Sequence, residues 1–542
     1  MAEQKATPYS YAQAVLRHSR TTPDRTLFPG HNYQALAKFL NQPYLPQTTG
    51  APYPQLRPNQ PLVVLHRFSQ DQEHQVLLYN PTTTGLEQLD LETQAGSNSG
   101  KIVFLNGFVP PEWLNLIGAR YRVDPEFYRQ HLSFMQQEGQ PDLPGLPYTS
   151  KNIVRLPLIS IGTWGTDRIS QKGCLAGQRS AAFQKIKSYL RSFDATTLPG
   201  QGIARNLIVN DAVHFTVEQE ASICVEKKDG GWSAICWLDG GLDLESPIFH
   251  SWLGNQSFPH HSPWILPTYM YQPKMALINP TQVDKSPPLS DSYRATEQAW
   301  RGFASLPRLY GQQLDRNCSH QDAFYALTQL FAISAFSVNQ GLNLVEQCID
   351  SQLKSSIEDM QISLENLHEA KSIVQNYICG LQRILEFIQT RGSAAKWPRA
   401  TAPKQRASAD AAAEELIHNY QHLLNSAISL AQRISSESQW LMHKAMLNES
   451  QRAFSQGSRV ARLTFLAFLF IPLSFTSSLF GMNIVELVGE AGPKISVWHW
   501  AVLTAFVFAG SLLLWWWEAV LRFIKYISSK VNGRTAVIDK GS

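Results

Sequence analysis

Hydrophobic and polar positions change rhythm twice along this chain of 542 residues. Residues 1–60 are rich in Pro, Gln and Thr and show little patterning beyond a short helix signal at 11–18. Short apolar, β-branched runs follow at 62–68, 75–79 and 101–105, each a strand signal. Pro110-Pro111-Glu112 opens a helix to about Tyr121, and Asp124-Pro125-Glu126 a second to about Met135, each with proline in the first turn. Residues 153–161 and 214–225 read as strands, and Asp229-Gly230-Gly231 turns the chain into a hairpin partner at 232–238. Residues 239–300 are dense in Pro, Trp and His without a clear period. The expectation for 1–300 is an α+β domain with irregular additions.

From about residue 320 the period becomes helical. Phe324, Leu327, Leu330, Phe331 and Ala335 recur at threes and fours and predict a helix over 320–357. Ile362, Leu367, Ile373, Tyr377, Leu381, Leu385 and Ile388 predict another over 358–390. The polar stretch 392–408, with Pro398 and Pro403, reads as a linker. Leu416, Tyr420, Leu423, Ala427, Leu430 and Ile434 then step by four and three, a 3.5-residue repeat. Two arrangements satisfy it: a seam between copies, or an ordinary antiparallel bundle with the two preceding helices. Residues 301–459 are thus a helical stalk. Only Gly457 weakens its last helix (409–459), so that helix should continue into the apolar run beyond. Roughly 70 residues at about 1.5 Å each give a rod on the order of 100 Å.

No charge occurs from Leu463 to Phe480, and a second apolar run extends from about Trp498 to Trp517. About 20 apolar residues cross a bilayer core as a helix. The expected spans are 460–480 and 498–518, joined by an outer loop at 481–497 and followed by a basic tail at 519–542. Arg452, Arg459 and Arg462 precede the first span, and Arg522, Lys525, Lys530 and Arg534 follow the second. The loop carries Glu486 and Glu490 against Lys494 alone. That bias predicts a multi-pass protein with both termini in the cytosol. Trp498 and Trp500 at one end of the second span, and Trp515, Trp516 and Trp517 at the other, suit interfacial belts.

Composition narrows the function. A net charge of +4 without a basic block argues against nucleic acid as a partner. The six cysteines, Cys174, Cys224, Cys236, Cys318, Cys348 and Cys379, form no Cys-x-x-Cys pair and read as reduced, mostly buried thiols of a cytosolic domain. His250, His260 and His261 sit in a proline-rich stretch with no element to hold them at ligand spacing, so surface histidines are the expectation over a metal site. The amino terminus lacks the apolar core of a secretory signal. There is no Gly-rich phosphate loop and no nucleophile–base pair above chance, so neither an enzyme nor a resident cofactor is expected.

The first span carries a distinctive stripe. Val460, Thr464, Ala467, Ile471, Ser474 and Ser478 again step by four and three, and most are small or hydroxylated. Phe465, Phe468, Phe470, Phe475 and Phe480 lie on other faces. Such a stripe lines a narrow lumen between several copies, or packs dry against another helix. Pro472 loosens the helix locally. Gly481-Met482-Asn483 closes the span. Glycine lets the backbone leave the helix at close quarters, and Asn483 offers a neutral amide at the mouth or simply caps the helix. A ring of such amides suits a cation that keeps its water, as magnesium does. Glu486 and Glu490 would gather cations at the entrance.

These residues resemble the CorA family of divalent-cation transporters. The segment from Phe470 through Ile471-Pro472-Leu473-Ser474-Phe475, then Phe480-Gly481-Met482-Asn483, is similar to the end of that family's first span. The resemblance is close over about 450–520 and looser back to about 320. Gly107, Pro111-Glu112-Trp113-Leu114 and Asp124-Pro125-Glu126-Phe127 resemble fungal CorA-like proteins. The resemblance implies a homopentamer with a funnel-shaped cytosolic domain. It implies Gly481, Met482 and Asn483 as the selectivity filter, with Asn483 meeting the metal through its hydration shell. It implies Ser474 as a second polar ring and Ile471, Ala467, Leu463 and Val460 as an apolar gate.

Where the family often reads Met-Pro-Glu-Leu in its outer loop, this chain reads Glu486-Leu487-Val488-Gly489-Glu490. Zinc-exchanging relatives more often carry Ile at the middle of the signature, so Met482 favours magnesium as the transported ion. Regulation by intracellular magnesium is implied generically. Zinc, cobalt, nickel and manganese are alternative cargoes. A membrane-anchored scaffold or regulator is the reading from a different class. The expected location is the plasma membrane, with vacuolar and mitochondrial membranes as alternatives.

Overall fold

The computed structural model describes residues 6–21, 30–45, 61–69, 74–94, 99–135, 150–163, 175–194, 197–228, 231–240, 264–266, 268–269, 299–300, 303–311, 314–353, 360–481, 498–512 and 516–517. The chain divides into two compact units, Met1–Ser438 and Gln439–Ser542.

In the first unit the strands are β1 Val63–Phe68, β2 Gln75–Tyr79, β3 Gly100–Asn106, β4 Ile153–Thr163, β5 Asn206–Val209, β6 His214–Lys228, β7 Gly231–Leu238 and β8 Trp264–Ile265. Its helices are α1 Pro8–Ser19, α2 Gly30–Asn41, α3 Thr83–Gln94, α4 Pro111–Tyr121, α5 Pro125–His131, α6 Leu175–Arg191, α7 Leu306–Leu309, α8 Arg316–Gln321, α9 Ala323–Leu353 and α10 Met360–Thr390. A further helix, α11, runs from Pro403 to Gly481 and contributes to both units.

These eight strands form one sheet in the order β2-β1-β3-β7-β6-β4-β8, with β5 added on β6, and Thr268–Tyr269 pairs with Ala299–Trp300 as a separate two-stranded sheet. The β3–β7 pair is parallel. Every residue of β3 is buried, as a strand covered on both faces must be. Side chains alternate across it. Val103 and Leu105 join one core with Val15, Leu36, Leu40, Leu114, Ile117 and Phe127 of the amino-terminal helices. Phe104 points the other way and meets the Tyr310 ring edge-on at 4.9 Å. Tyr310 in turn donates to Ala326 O of α9 at 2.6 Å.

On that second face α9 lies along β4. Ser334 Oγ donates to Pro157 O at 2.7 Å, and Ser337 Oγ accepts from Ile159 N at 3.2 Å. A Cβ on Gly341 would stand 3.3 Å from Ile159 Cδ1. This close docking places the sheet, α7 to α10 and α11 as far as Ser438 in one compact unit, so the boundary expected at residue 300 does not divide the fold.

The pattern of α9, α10 and α11 is that of a bundle. Phe331 and Phe387 stack with centroids 6.3 Å apart. Tyr420 of α11 donates to Phe331 O at 2.9 Å, and Arg433 Nη2 reaches Asp350 Oδ1 at 2.5 Å. Leu416, Tyr420, Leu423, Ala427, Leu430 and Ile434 are all buried. The 3.5-residue seam is therefore closed within the chain. The first part of α11 runs in the same direction as α9, with α10 antiparallel to both, so the bundle is up-down-up.

Several sequence expectations need correction. Residues 30–41 form a helix in the stretch expected to be loose; it buries Tyr33, Leu36, Ala37, Phe39 and Leu40. The helices α3 and α6 and the strand β5 were not expected. The linker is shorter than 392–408, because α11 already begins at Pro403. Proline is tolerated in a first turn, where its missing N–H has no partner in any case.

The five described cysteines are free, and Cys224, Cys236 and Cys318 are buried. Burial pushes the Cys318 and Cys348 thiols up to about 12. Cys174, His250, His260, His261, Met482, Asn483, Glu486, Glu490, Lys494, Trp515, Arg522, Lys525, Lys530 and Arg534 lie outside the described residues. So do the turn at 229–230, most of 239–300, the expected outer loop after Gly481 and the basic tail.

Candidate functional site

The second unit contains the end of α11 and a shorter apolar helix, α12, Trp498–Leu512. Among the described residues, α11 is the one helix long and apolar enough to cross a membrane. Its most apolar window is only 11% buried. The core helix of a water-soluble bundle would be mostly covered, so this surface needs an apolar surrounding or a partner.

The two helices divide the faces of α11 clearly. Phe468, Leu469, Pro472, Leu473, Thr476 and Leu479 are buried or half-buried. On α12 the half-buried positions include Trp500, Ala501, Thr504, Val507, Phe508 and Ser511, a helical stripe. The contact contains a hydrogen bond between Thr504 Oγ1 and Thr476 Oγ1 at 3.0 Å.

Val460, Leu463, Thr464, Ala467, Ile471, Ser474 and Ser478 are all exposed. Ile471 and Leu463 are 66% and 67% open, respectively. Ile471, Ser474 and Ser478 lie on the side that α12 leaves open, whereas from residue 451 to 467 every face of α11 is exposed, so the division of faces is drawn between 468 and 479. The stripe is therefore not the packing surface for the second helix. Thr464 turns its hydroxyl back to Val460 O at 2.9 Å, which satisfies it locally in an apolar setting. Gly481 is the last described residue of α11 and is exposed. Arg452, Arg459 and Arg462, just before the apolar run, are exposed as well.

Elsewhere the described residues hold no group of three or more His, Cys, Asp or Glu that could bind a metal. One cluster in the first unit does have the spacing of a nucleophile, base and acid. Ser222 Oγ is 2.8 Å from His131 Nδ1, and His131 Nε2 is 3.2 Å from Asp239 Oδ1. All three side chains are fully buried. Ser222 also donates to Glu220 Oε1 at 2.9 Å, and Arg155 and Arg205 flank the same carboxylates. These cations hold the Glu220 carboxyl down at about 2 against the desolvation that would raise it. Without access for a substrate, the arrangement ties α5 to the middle of β6 and to the end of β7. Sequence reasoning missed it because its members lie far apart in the chain.

The Thr476–Thr504 contact was missed too. The signal was legible as a hydroxyl on each apolar run, but nothing in one sequence pairs them.

The family model described as CorA-like Mg2+ transporter protein matches residues 317–517. That stretch takes in the bundle helices and both helices of the second unit, and leaves the sheet outside. A CorA-like domain is thus present in the chain. A search of the curated proteins finds no match.

Proposed function

We propose that this protein conducts divalent cations, magnesium first among them, through a pore assembled from several copies of α11. The observation that carries the reading is the division of faces in the second unit. One side of α11 packs on α12, and the slim stripe from Val460 to Ser478 is left open. In a bilayer, exposed hydroxyls such as those of Ser474 and Ser478 are better placed against water or a partner than against acyl chains. Several copies facing one axis satisfy that preference. The CorA-like match over the same helices supports the same reading.

In this reading α12 belongs to a second span over 498–518, both termini are cytosolic, and the assembly is a homopentamer. Val460, Leu463, Ala467 and Ile471 form the apolar gate. Ser474 adds a polar ring, and Gly481-Met482-Asn483 forms the filter where Asn483 meets the hydrated ion. Glu486 and Glu490 raise the cation concentration at the entrance. An inside-negative potential drives a divalent cation inward by about 4.6 kcal/mol per 100 mV, twice the single-charge value. No nucleotide is required.

The test is uptake by purified protein in lipid vesicles under an imposed potential. Wild type should take up Mg2+, and Asn483→Ala should lose discrimination among divalent ions. Uptake by Asn483→Ala indistinguishable from wild type would remove the filter role. Absence of flux in wild type would favour the scaffold reading.

A further inference from the structure

We propose that Thr476 and Thr504 form an interhelical latch that fixes the outer end of the pore helix to α12. Through it, α12 becomes a positioning element for the Gly481-Met482-Asn483 filter. This rests on the proposed pore and adds a determinant that lies off the lumen. Thr476 is fully buried, in a helix whose other polar side chains are exposed or half-buried over the apolar run. Its Oγ1 is 3.0 Å from Thr504 Oγ1, 3.0 Å from Pro472 O and 3.1 Å from Leu473 O. Thr504 Oγ1 is also 2.7 Å from Trp500 O. Two hydroxyl protons serve these contacts, so one joins the helices and the other returns to a backbone carbonyl.

The position of the latch gives it a consequence. Pro472 lies one turn before Thr476 on the same buried face. It has no N–H to give the preceding turn, so the helix bends most easily there. Beyond that point the latch joins the remaining turn and a half of α11 to α12. The outer end and α12 then move as one body, with the compliant joint at Pro472. Rotation of α12 passes to Gly481, the last described residue of α11.

Valine keeps the shape and β-branching of threonine and removes only the hydroxyl. The remaining hydroxyl still has its own backbone carbonyl, so the variants should fold. Mg2+ and Co2+ uptake would be measured in vesicles for Thr476→Val, Thr504→Val, the double variant and Thr504→Ser. Each valine variant should shift the Mg2+/Co2+ ratio by about threefold, the size of an average interhelical polar contact in a membrane. The double variant should shift it no further, and Thr504→Ser should restore it. Additive shifts, or equal loss of both ions at constant ratio, would overturn the latch.

A Thr476→Cys/Thr504→Cys pair adds a test of contact and motion. Mild oxidation should join the two peptides, read by mass spectrometry, and the joined protein should keep its uptake. Failure to join, or a block released by reductant, would contradict a latch that stays closed. If wild type carried no ion at all, the pore would fall, while cross-linking would still report the contact.

Discussion

Gly107 shows how a residue that resembles a family's signature can be explained by backbone geometry alone. Its φ is +59°, and a Cβ would lie 2.5 Å from Gln201 O. Its N–H donates to Leu238 O at 2.8 Å, and its carbonyl accepts from Trp237 Nε1 at 2.7 Å. It locks the end of β3 to the end of β7. Asp124 and Glu126 are structural in the same way: Asp124 Oδ1 accepts from Glu126 N at 2.9 Å, and Glu126 accepts from Tyr33 at 2.7 Å. Gly107→Ala should destabilise the fold by at least about 1–3 kcal/mol, the cost of strained backbone, and lower the melting temperature in detergent.

His66 makes a second residue-scale case. It is fully buried, and its Nε2 stands 2.6 Å from Pro307 O. A carbonyl only accepts, so Nε2 carries the proton and Nδ1 accepts from His74 Nε2 at 3.0 Å. Desolvation lowers the His66 pKa from 6.5 to about 4. The folded pKa is depressed, so the neutral ring's contribution is complete above pH 6.5 and is lost as pH falls towards 4. That window is worth about 3 kcal/mol at 1.36 kcal/mol per unit. Denaturant titrations at stepped pH should show the slope in wild type and a flattened one in His66→Gln. Neither histidine was legible as a pair in the sequence. They meet because β1 and β2 are adjacent, and Pro307 lies 241 residues from His66.

At the scale of elements, legibility followed periodicity. The strand expected at 75–79 is β2, and those expected at 62–68 and 101–105 are β1 and β3 to within a residue at each end. Turn residues and β-branched runs specify them strongly. Among the missed helices α6 has a faint stripe, burying only Ala182 and Ile186 of its 17 residues. Little hydrophobic signal is written where little is buried. In contrast, α2 buries Tyr33, Leu36, Ala37, Phe39 and Leu40 and was hidden by its Pro- and Gln-rich surroundings rather than by a weak stripe. The seam of α11 shows the opposite limit. Its 3.5-residue repeat was plain, but whether its partner was another copy or another helix of the same chain was not. The partner is α9, within the chain. Leu423→Ala should therefore cost about 2–5 kcal/mol. That loss should be independent of protein concentration, as read by melting of diluted samples. A dependence on concentration would place the seam between copies instead.

At the scale of the whole molecule, the CorA-like match and the sheet occupy different parts of the chain. The apolar end of α11 was visible as an uncharged run, and the stripe as a small-residue period. Which side would be left open depended on α12, and a single helix pattern does not say where its neighbour lies. Of the proposed filter and capture residues all but Gly481 lie outside the described residues, so the open stripe is where the pore claim meets the structure.

Cysteine scanning of α11 tests that claim most directly. Single cysteines would be placed from residue 460 to 479, and Mg2+ uptake in vesicles measured before and after Cd2+, which binds converging thiols. The account predicts block at Val460, Leu463, Thr464, Ala467, Ile471, Ser474 and Ser478, and none at Leu469, Leu473 or Leu479. Block confined to the α12-facing positions, or equal on all faces, would contradict it.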